Sequence, residues 1–354
     1  MEETDHTTRR PFLRILFLLI LFGLIGTALI ASFTFYNWFL SPNVELKGLS
    51  SKVFLIPTGF GFNDVMARLS QDSILRNERS FRRVAGYKKY DARVRPGRYR
   101  IRQGMSNLEL ADLLRSGRQE PVRLIFNSLI SVHYLAVKIS RQIEADSASL
   151  ADLLTDPDFL RSYEVKPATV FVLFIPNTYE FYWNTSPRDF IRRMSQEQKK
   201  FWNRDRLEKS RATGLSVTEV VTLASIVERE TSKNSEKQVI AGVYLNRLRK
   251  GWPLQADPTL IFAWNDYSIR RVLERHKQIQ SPYNTYLHTG LPPGPICLPS
   301  ISSIDAVLNY QPNDYLYFCA RDDLSGYHVF STTLAQHNRN AARYQAALKK
   351  LNIR

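Results

Sequence analysis

The sequence predicts an α+β protein: an N-terminal transmembrane helix, a small α+β unit, and then a larger mixed α+β domain. Three observations carry this expectation. No charged residue occurs from Ile15 to Val44. Between about 50 and 127, short strand-like runs alternate with capped helical stretches. From about 128 to 354, helical periodicity dominates, interrupted by one apolar run and a closing hairpin.

The segment Ile15–Phe35 is nearly all Leu, Ile, Phe, Ala and Gly, and about 20 such residues cross a bilayer as a helix. Arg9, Arg10 and Arg14 precede it, and Lys47 is the first positive charge after it. The positive-inside rule therefore keeps residues 1–14 in the cytoplasm, assigns 15–40 to the anchor and puts the body outside. Phe35, Tyr36, Trp38 and Phe39 are expected as its outer interfacial aromatic belt. A cleaved signal peptide is the competing reading. The apolar run exceeds a signal core, however, and continues into aromatics without a small-x-small cleavage site.

Lys+Arg 49 against Asp+Glu 33 gives a formal charge of +16, spread along the chain. Charge alone admits nucleic acid, an anionic membrane surface or an acidic polymer such as cell wall. Export argues against nucleic acid, and no clustered basic–aromatic module is present. Two cysteines, Cys297 and Cys319, exclude a disulfide scaffold and a four-cysteine zinc site. They read as inert buried thiols, with a single bridge as the alternative. The six histidines show no HExxH or similar spacing, so neither a metal nor a cofactor is expected.

In the small unit, 52–57 reads as a strand and 63–69 as a short helix. A basic patch follows (Arg82, Arg83, Lys88, Lys89, Arg93, Arg95, Arg98, Arg100, Arg102), whose plain reading is a solvated face, with a strand at 98–101 inside it. Ser106 and Glu109 cap a helix that stops at Gly117, and 121–126 returns as a strand. In the larger domain, helical stretches cover 132–143 and 150–163. Thr169–Ile175 is an apolar strand leading into Pro176–Phe181, and one long charged helix covers 188–209. A second capping box, Ser235 with Gln238, starts a helix that ends at Gly251. The segment 251–300 reads as a long Pro-, Tyr- and Asn-rich binding loop. A hairpin (316–320, 328–330) and a basic helix (334–351) close the chain.

The richest chemistry lies in Ala224-Ser225-Ile226-Val227-Glu228-Arg229-Glu230-Thr231. Ser216 stands three residues before Glu219, the spacing of a capping box, and Leu215 can staple onto Val220. Val220, Leu223, Ala224, Val227 and Thr231 then share a stripe. At about 100° per residue, Glu228 and Glu230 fall on opposite flanks of it. A carboxylate at the edge of a buried face is partly desolvated, which suits it to proton transfer. Residues two apart on a helix do not face each other, so the glutamates are not expected to share one cleft.

This helix, Tyr244–Leu248 (YLNRL), Leu254–Thr259 (LQADPT), Ser281–Tyr286 (SPYNTY), Gly290–Ile296 (GLPPGPI) and Gly326–Ser331 followed by His337-Asn338 occur in one order. Together they closely resemble the membrane-bound endolytic murein transglycosylases, the MltG or YceG-like family, from about residue 50 to the C-terminus. The resemblance implies a LysM-like unit at 50–127 and a catalytic domain at 128–354. It implies a lyase on the periplasmic face of the inner membrane, acting on nascent peptidoglycan strands and so terminating their elongation. The bond is the β-1,4 link from N-acetylmuramic acid to N-acetylglucosamine, and the product carries a 1,6-anhydro end. It also implies that the first glutamate of the motif, here Glu228, is catalytic, and it suggests peptidoglycan synthases as protein partners. Two departures are visible: Asn177 stands where the family usually has Asp, and Leu298-Pro299-Ser300 replaces the common Asn-Pro-Gly.

Lytic cleavage uses no water, because the muramic C6 hydroxyl attacks its own anomeric carbon. One carboxyl can protonate the leaving oxygen and then take the hydroxyl proton, whereas a hydrolase needs two. Glu228 is expected in that role with Glu230 assisting or structural. Asn246, Gln255, Asp257, Thr259, Tyr283, Asn284, Thr285 and Tyr286 are the expected sugar contacts, by amide hydrogen bonding and ring faces. His328 reads as a satisfied histidine. The rival reading keeps the location and drops the enzyme: a membrane-anchored scaffold that binds peptidoglycan.

Overall fold

In the computed structural model, residues 9–126 and 129–351 are described, and the chain divides into two compact units. The first comprises residues up to Val122 together with Tyr182–Asn184. It begins with helix α1 (Arg9–Phe35), continued by a π-helical turn over Tyr36–Leu40. The window Arg14–Leu40 is long and apolar enough to cross a membrane. Only part of the expected aromatic belt faces outward. Phe35 and Tyr36 are exposed, whereas Trp38 and Phe39 pack against the core of the unit and Trp38 stacks under the Arg83 guanidinium.

Strands β1 (Ser51–Ile56) and β2 (Gly97–Arg102) pair antiparallel, Ser51 opposite Arg102. Between them lie α2 (Phe62–Gln71) and α3 (Glu78–Tyr87), and α4 (Asn107–Ser116) follows. The helix α3 was masked in sequence by its arginines. Its buried face is Phe81, Val84 and Ala85, and Asn77 caps it by accepting from Ser80 N. The Ser106–Glu109 capping box and the left-handed Gly117 bound α4 as expected. Phe54, Ile56, Tyr90, Tyr99 and Ile101 fill the core with these helices.

The second unit holds the remainder. Strand β3 (Val122–Phe126) pairs with β4 (Asn177–Phe181) and not with β1 or β2. Helices α5 (Val132–Ser140), α6 (Ser147–Thr155) and α7 (Pro157–Arg161) come between. The apolar run expected as a strand at 169–175 is largely a buried 3-10 helix, Pro167–Leu173. Proline pre-sets its first turn and Thr169 Oγ1 accepts from Lys166 N, while an unbroken apolar run carries no period to separate strand from helix. The long charged helix is two helices, α8 (Pro187–Phe201) and α9 (Arg204–Thr213). Buried Trp202 leaves the helical region, and Asn203 restarts the chain by accepting from Arg206 N.

Helix α10 (Val217–Glu230) is the axis of this unit, and its capping box closes as predicted. Every residue from Val220 to Val227 is buried, so it is a central helix and not a one-sided stripe. Helices α11 (Asn234–Arg249), α12 (Asp257–Trp264) and α13 (Ile301–Leu308) pack against it. Ser235 lies inside α11, whose N-cap is Lys233, so the second capping box does not form. The loop expected over 251–300 contains α12, started by Pro258, and a 3-10 turn at Glu274–Gln278. The hairpin β5 (Tyr317–Ala320) and β6 (His328–Ser331) and helix α14 (Leu334–Lys350) complete the unit.

Candidate functional site

The C-terminal end of α10 opens onto two adjoining cavities, and Glu230 borders both. The first, about 360 Å³, is lined by Glu230, Tyr244, Arg247, Leu254, Gln255, Asp257, Tyr286, Tyr317, Phe318, Leu334, His337 and Asn338. The second, about 610 Å³, is lined by Glu228, Arg229, Glu230, Thr231, Ser232, Asn234, Lys237, Ser300 and Ser302. The two glutamates therefore do share a cleft, contrary to the helical-wheel expectation. The wheel applies along a helix side, but Glu230 is the last helical residue, and the cleft runs across the end of α10.

Their surroundings differ. The Tyr244 hydroxyl donates to Glu230 Oε1 at 2.5 Å. Burial lifts the Glu230 carboxyl from its usual 4.5 to about 7; Asp257 nearby adds to the rise, while the Tyr244 hydrogen bond and Arg247 oppose it. Glu228 instead accepts from Lys237 Nζ at 3.1 Å and from the hydroxyls of Ser300 and Ser303. Ser300 is the N-cap of α13, so the Glu228 carboxylate sits at a helix N-terminus, where an anion is favoured. It ties the end of α10 to α11 and α13.

Of the expected sugar contacts, Gln255, Asp257 and Tyr286 face the Glu230 cavity. Gln255 adopts a left-handed backbone (φ 49°), a conformation few residues of its type adopt, with its N–H bonded to Thr285 O. Tyr286 donates to Asp257 Oδ1 at 2.5 Å, and that bond together with burial raises its pKa. The others hold the loops instead of lining the cavity. Asn246 donates to the carbonyls of Asn313 and Tyr315, and Asn284, fully buried, donates to those of Lys277 and Ile279. Thr259 and Thr285 bond each other at 2.8 Å, and Tyr283 packs on Phe262. Short polar side chains next to a tight turn satisfy nearby backbone first, which removes them from the surface.

Several lining residues were not among the expected contacts. Tyr244 and Arg247 lie three apart in the YLNRL segment and so share one face of α11. Arg247 is buried and donates to the Leu316 and Leu254 carbonyls, each at 2.7 Å, and burial lowers its pKa. His337 stacks on Tyr317 with ring centroids 5.4 Å apart, and burial, with Arg247 nearby, lowers its pKa and keeps the ring neutral. His328 is held by Glu236 through its backbone N–H and its ring Nδ1. Cys297 and Cys319 are both free; burial pushes the Cys297 thiol up to about 12, which makes it inert. Among the described residues, no group of three or more His, Cys, Asp or Glu could hold a metal.

Comparison with known proteins shows the family of the chain. Residues 54–343 match the model of the YceG-like family. A relative from Bacillus subtilis (strain 168), named endolytic murein transglycosylase, is 29% identical over 326 residues, covering 87% of this chain and 89% of that protein. A protein of the same name from Streptococcus pneumoniae (strain D39) is 27% identical over 341 residues, and the chain spans 61% of its length. A crystal structure of a yceG-like protein from Listeria monocytogenes is similar with a TM-score of 0.55 at 27% identity, covering 82% of this chain and 98% of that one. With most of its length matched in sequence and its fold shared with a solved relative, the chain belongs to the YceG-like family.

Proposed function

We propose that the protein is an endolytic peptidoglycan lytic transglycosylase. It breaks the β-1,4 bond between N-acetylmuramic acid and N-acetylglucosamine within nascent strands, leaves a 1,6-anhydromuramoyl end, and so terminates elongation. The observation that carries the reading is Glu230, a carboxyl with a pKa of about 7 at an open cavity walled by tyrosines, an amide and a guanidinium. Near neutral pH a large share of it holds a proton to give, which a carboxyl at its ordinary value cannot offer.

In the proposed reaction, Glu230 passes its proton to the glycosidic oxygen as the C1–O bond breaks. The muramic C6 hydroxyl closes on C1, and its proton returns to Glu230. No water enters and the carboxyl is regenerated. Gln255 and the Tyr286–Asp257 pair are placed to orient the sugar, and the tyrosine rings offer it flat faces. Glu228, which the motif resemblance favours as the catalytic group, acts here by position: engaged by Lys237, Ser300 and Ser303, it fixes the end of α10 and with it Glu230.

The apolar helix α1 supports membrane anchoring with the N-terminus in the cytoplasm and the chain after about residue 41 outside, where nascent glycan is found. Peptidoglycan synthases are the proposed neighbours. Mass spectrometry of digested peptidoglycan tests the assignment. Glu230→Gln is expected to lower formation of anhydromuramoyl ends by about 10³-fold, within the range of general acid catalysis. Glu228→Gln is expected to lower it less and to lower thermal stability as well. Reducing ends in place of anhydro ends would show a hydrolase. Full loss with Glu228→Gln beside an active Glu230→Gln would return the proton to Glu228. Unaltered wall phenotypes with both variants would favour the binding scaffold.

A further inference from the structure

The two cavities that meet at Glu230 have opposite chemistry. One is walled by the rings of Tyr244, Tyr286, Tyr317, Phe318 and His337. The other has no aromatic residue on its wall; its lining is charged groups, hydroxyls and Asn234. An internal cut requires the strand to continue on both sides of the scissile bond, so each cavity has a different part of the strand to receive.

We propose that the cavity of Arg229, Lys237, Ser232 and Ser302 binds a carboxylate carried by the muramic residue of the strand; the inference rests on the transglycosylase reading above. Three features favour an anion there. The buried Lys237 ammonium and the Glu228 carboxylate pair at 3.1 Å and cancel. With Glu230 protonated, Arg229 remains as the net charge of the lining, exposed at the last turn of α10. Helix α11 begins beside it at Asn234, and its N-cap, Lys233, supplies no side-chain acceptor, so the positive end of a 16-residue helix contributes at the same wall. The Ser232 hydroxyl adds a donor, while those of Ser300 and Ser302 are directed at Glu228 and Asn234. A guanidinium with hydroxyl and helix-terminal donors matches a planar carboxylate better than a neutral hydroxyl.

Two parts of the substrate carry that chemistry: the lactyl group of a strand stripped of peptide, and the free carboxylates of the stem peptide. The test uses the full-length membrane protein and four substrates: peptide-bearing and amidase-stripped strands, each with free carboxylates and after carbodiimide amidation. The readout is kcat/KM for anhydromuramoyl product. Wild type is expected to favour free over amidated strand about tenfold, the advantage shrinking with added salt. Arg229→Gln is expected to bring the ratio close to one, and Arg229→Lys to keep most of it. Collapse for peptide-bearing strand alone identifies the stem carboxylates as the ligand; collapse for stripped strand alone identifies the lactyl group. A ratio in Arg229→Gln equal to that of wild type overturns the carboxylate site. Absence of anhydro product from all four substrates with wild type would sink the transglycosylase reading instead, so the two failures are distinct.

Discussion

Glu230 shows how neighbours drawn from distant sequence set the behaviour of one side chain. Burial raises its pKa, Asp257 from α12 raises it further, and the Tyr244 hydroxyl from α11 holds it back. A catalytic acid must be protonated, so kcat/KM is expected to fall as pH rises through about 7. The Tyr244 hydrogen bond favours the ionised form, and removing it leaves burial less opposed. Tyr244→Phe is therefore expected to move the alkaline limb of the pH–rate profile to higher pH; a limb that stays in place would falsify the assignment of that limb to Glu230. The sequence does expose both glutamates as candidates, through the helical period of the segment. The preference for Glu228 comes from the family resemblance, since the helical period puts both glutamates alike on the flanks of the buried stripe. Lys237, Ser300 and Ser303, which engage Glu228, come from two other helices.

At the scale of elements, the motif of α10 owes as much to packing as to chemistry. Ser225, fully buried, accepts from Ile296 N at 2.9 Å and so fastens the GLPPGPI segment to α10. Gly294 lies so close to the 3-10 turn that a Cβ would meet the Ala168 carbonyl oxygen at 2.0 Å. Ser225→Ala leaves the Ile296 N–H buried without a partner and is expected to cost about 1–3 kcal/mol. Gly294→Ala, which forces backbone apart, is expected to cost about as much or more. Equilibrium denaturation measures both, and a wild-type midpoint in either would show that the loop is not held this way. The capped helices α4 and α10 were legible because Ser–x–x–Glu and Gly signals are local. The 3-10 segment at 167–173, the break at Trp202 and the helix α12 were not, since burial and neighbouring chain decide them.

Over the whole molecule, two units have separate cores, and the first begins with an apolar helix. The charge of +16 suits the proposed place beside anionic lipid and an acidic wall polymer. The proposed topology predicts that alkaline phosphatase fused after Arg354 is active, because that enzyme folds only outside the reducing cytoplasm. An inactive fusion, with a cytoplasmic reporter active at the same position, reverses the orientation.

The sequence by itself determined the apolar N-terminal helix, the α+β class, the capped helix that bears the glutamates and the family, because each is written in local composition, period or ordered motif. Only the tertiary structure decided which polar residues face the cavity and which hold the loops, and which glutamate is bonded to a tyrosine and which is tied to a lysine. Those outcomes depend on desolvation and on partners from separate helices, and neither quantity exists until the chain has folded.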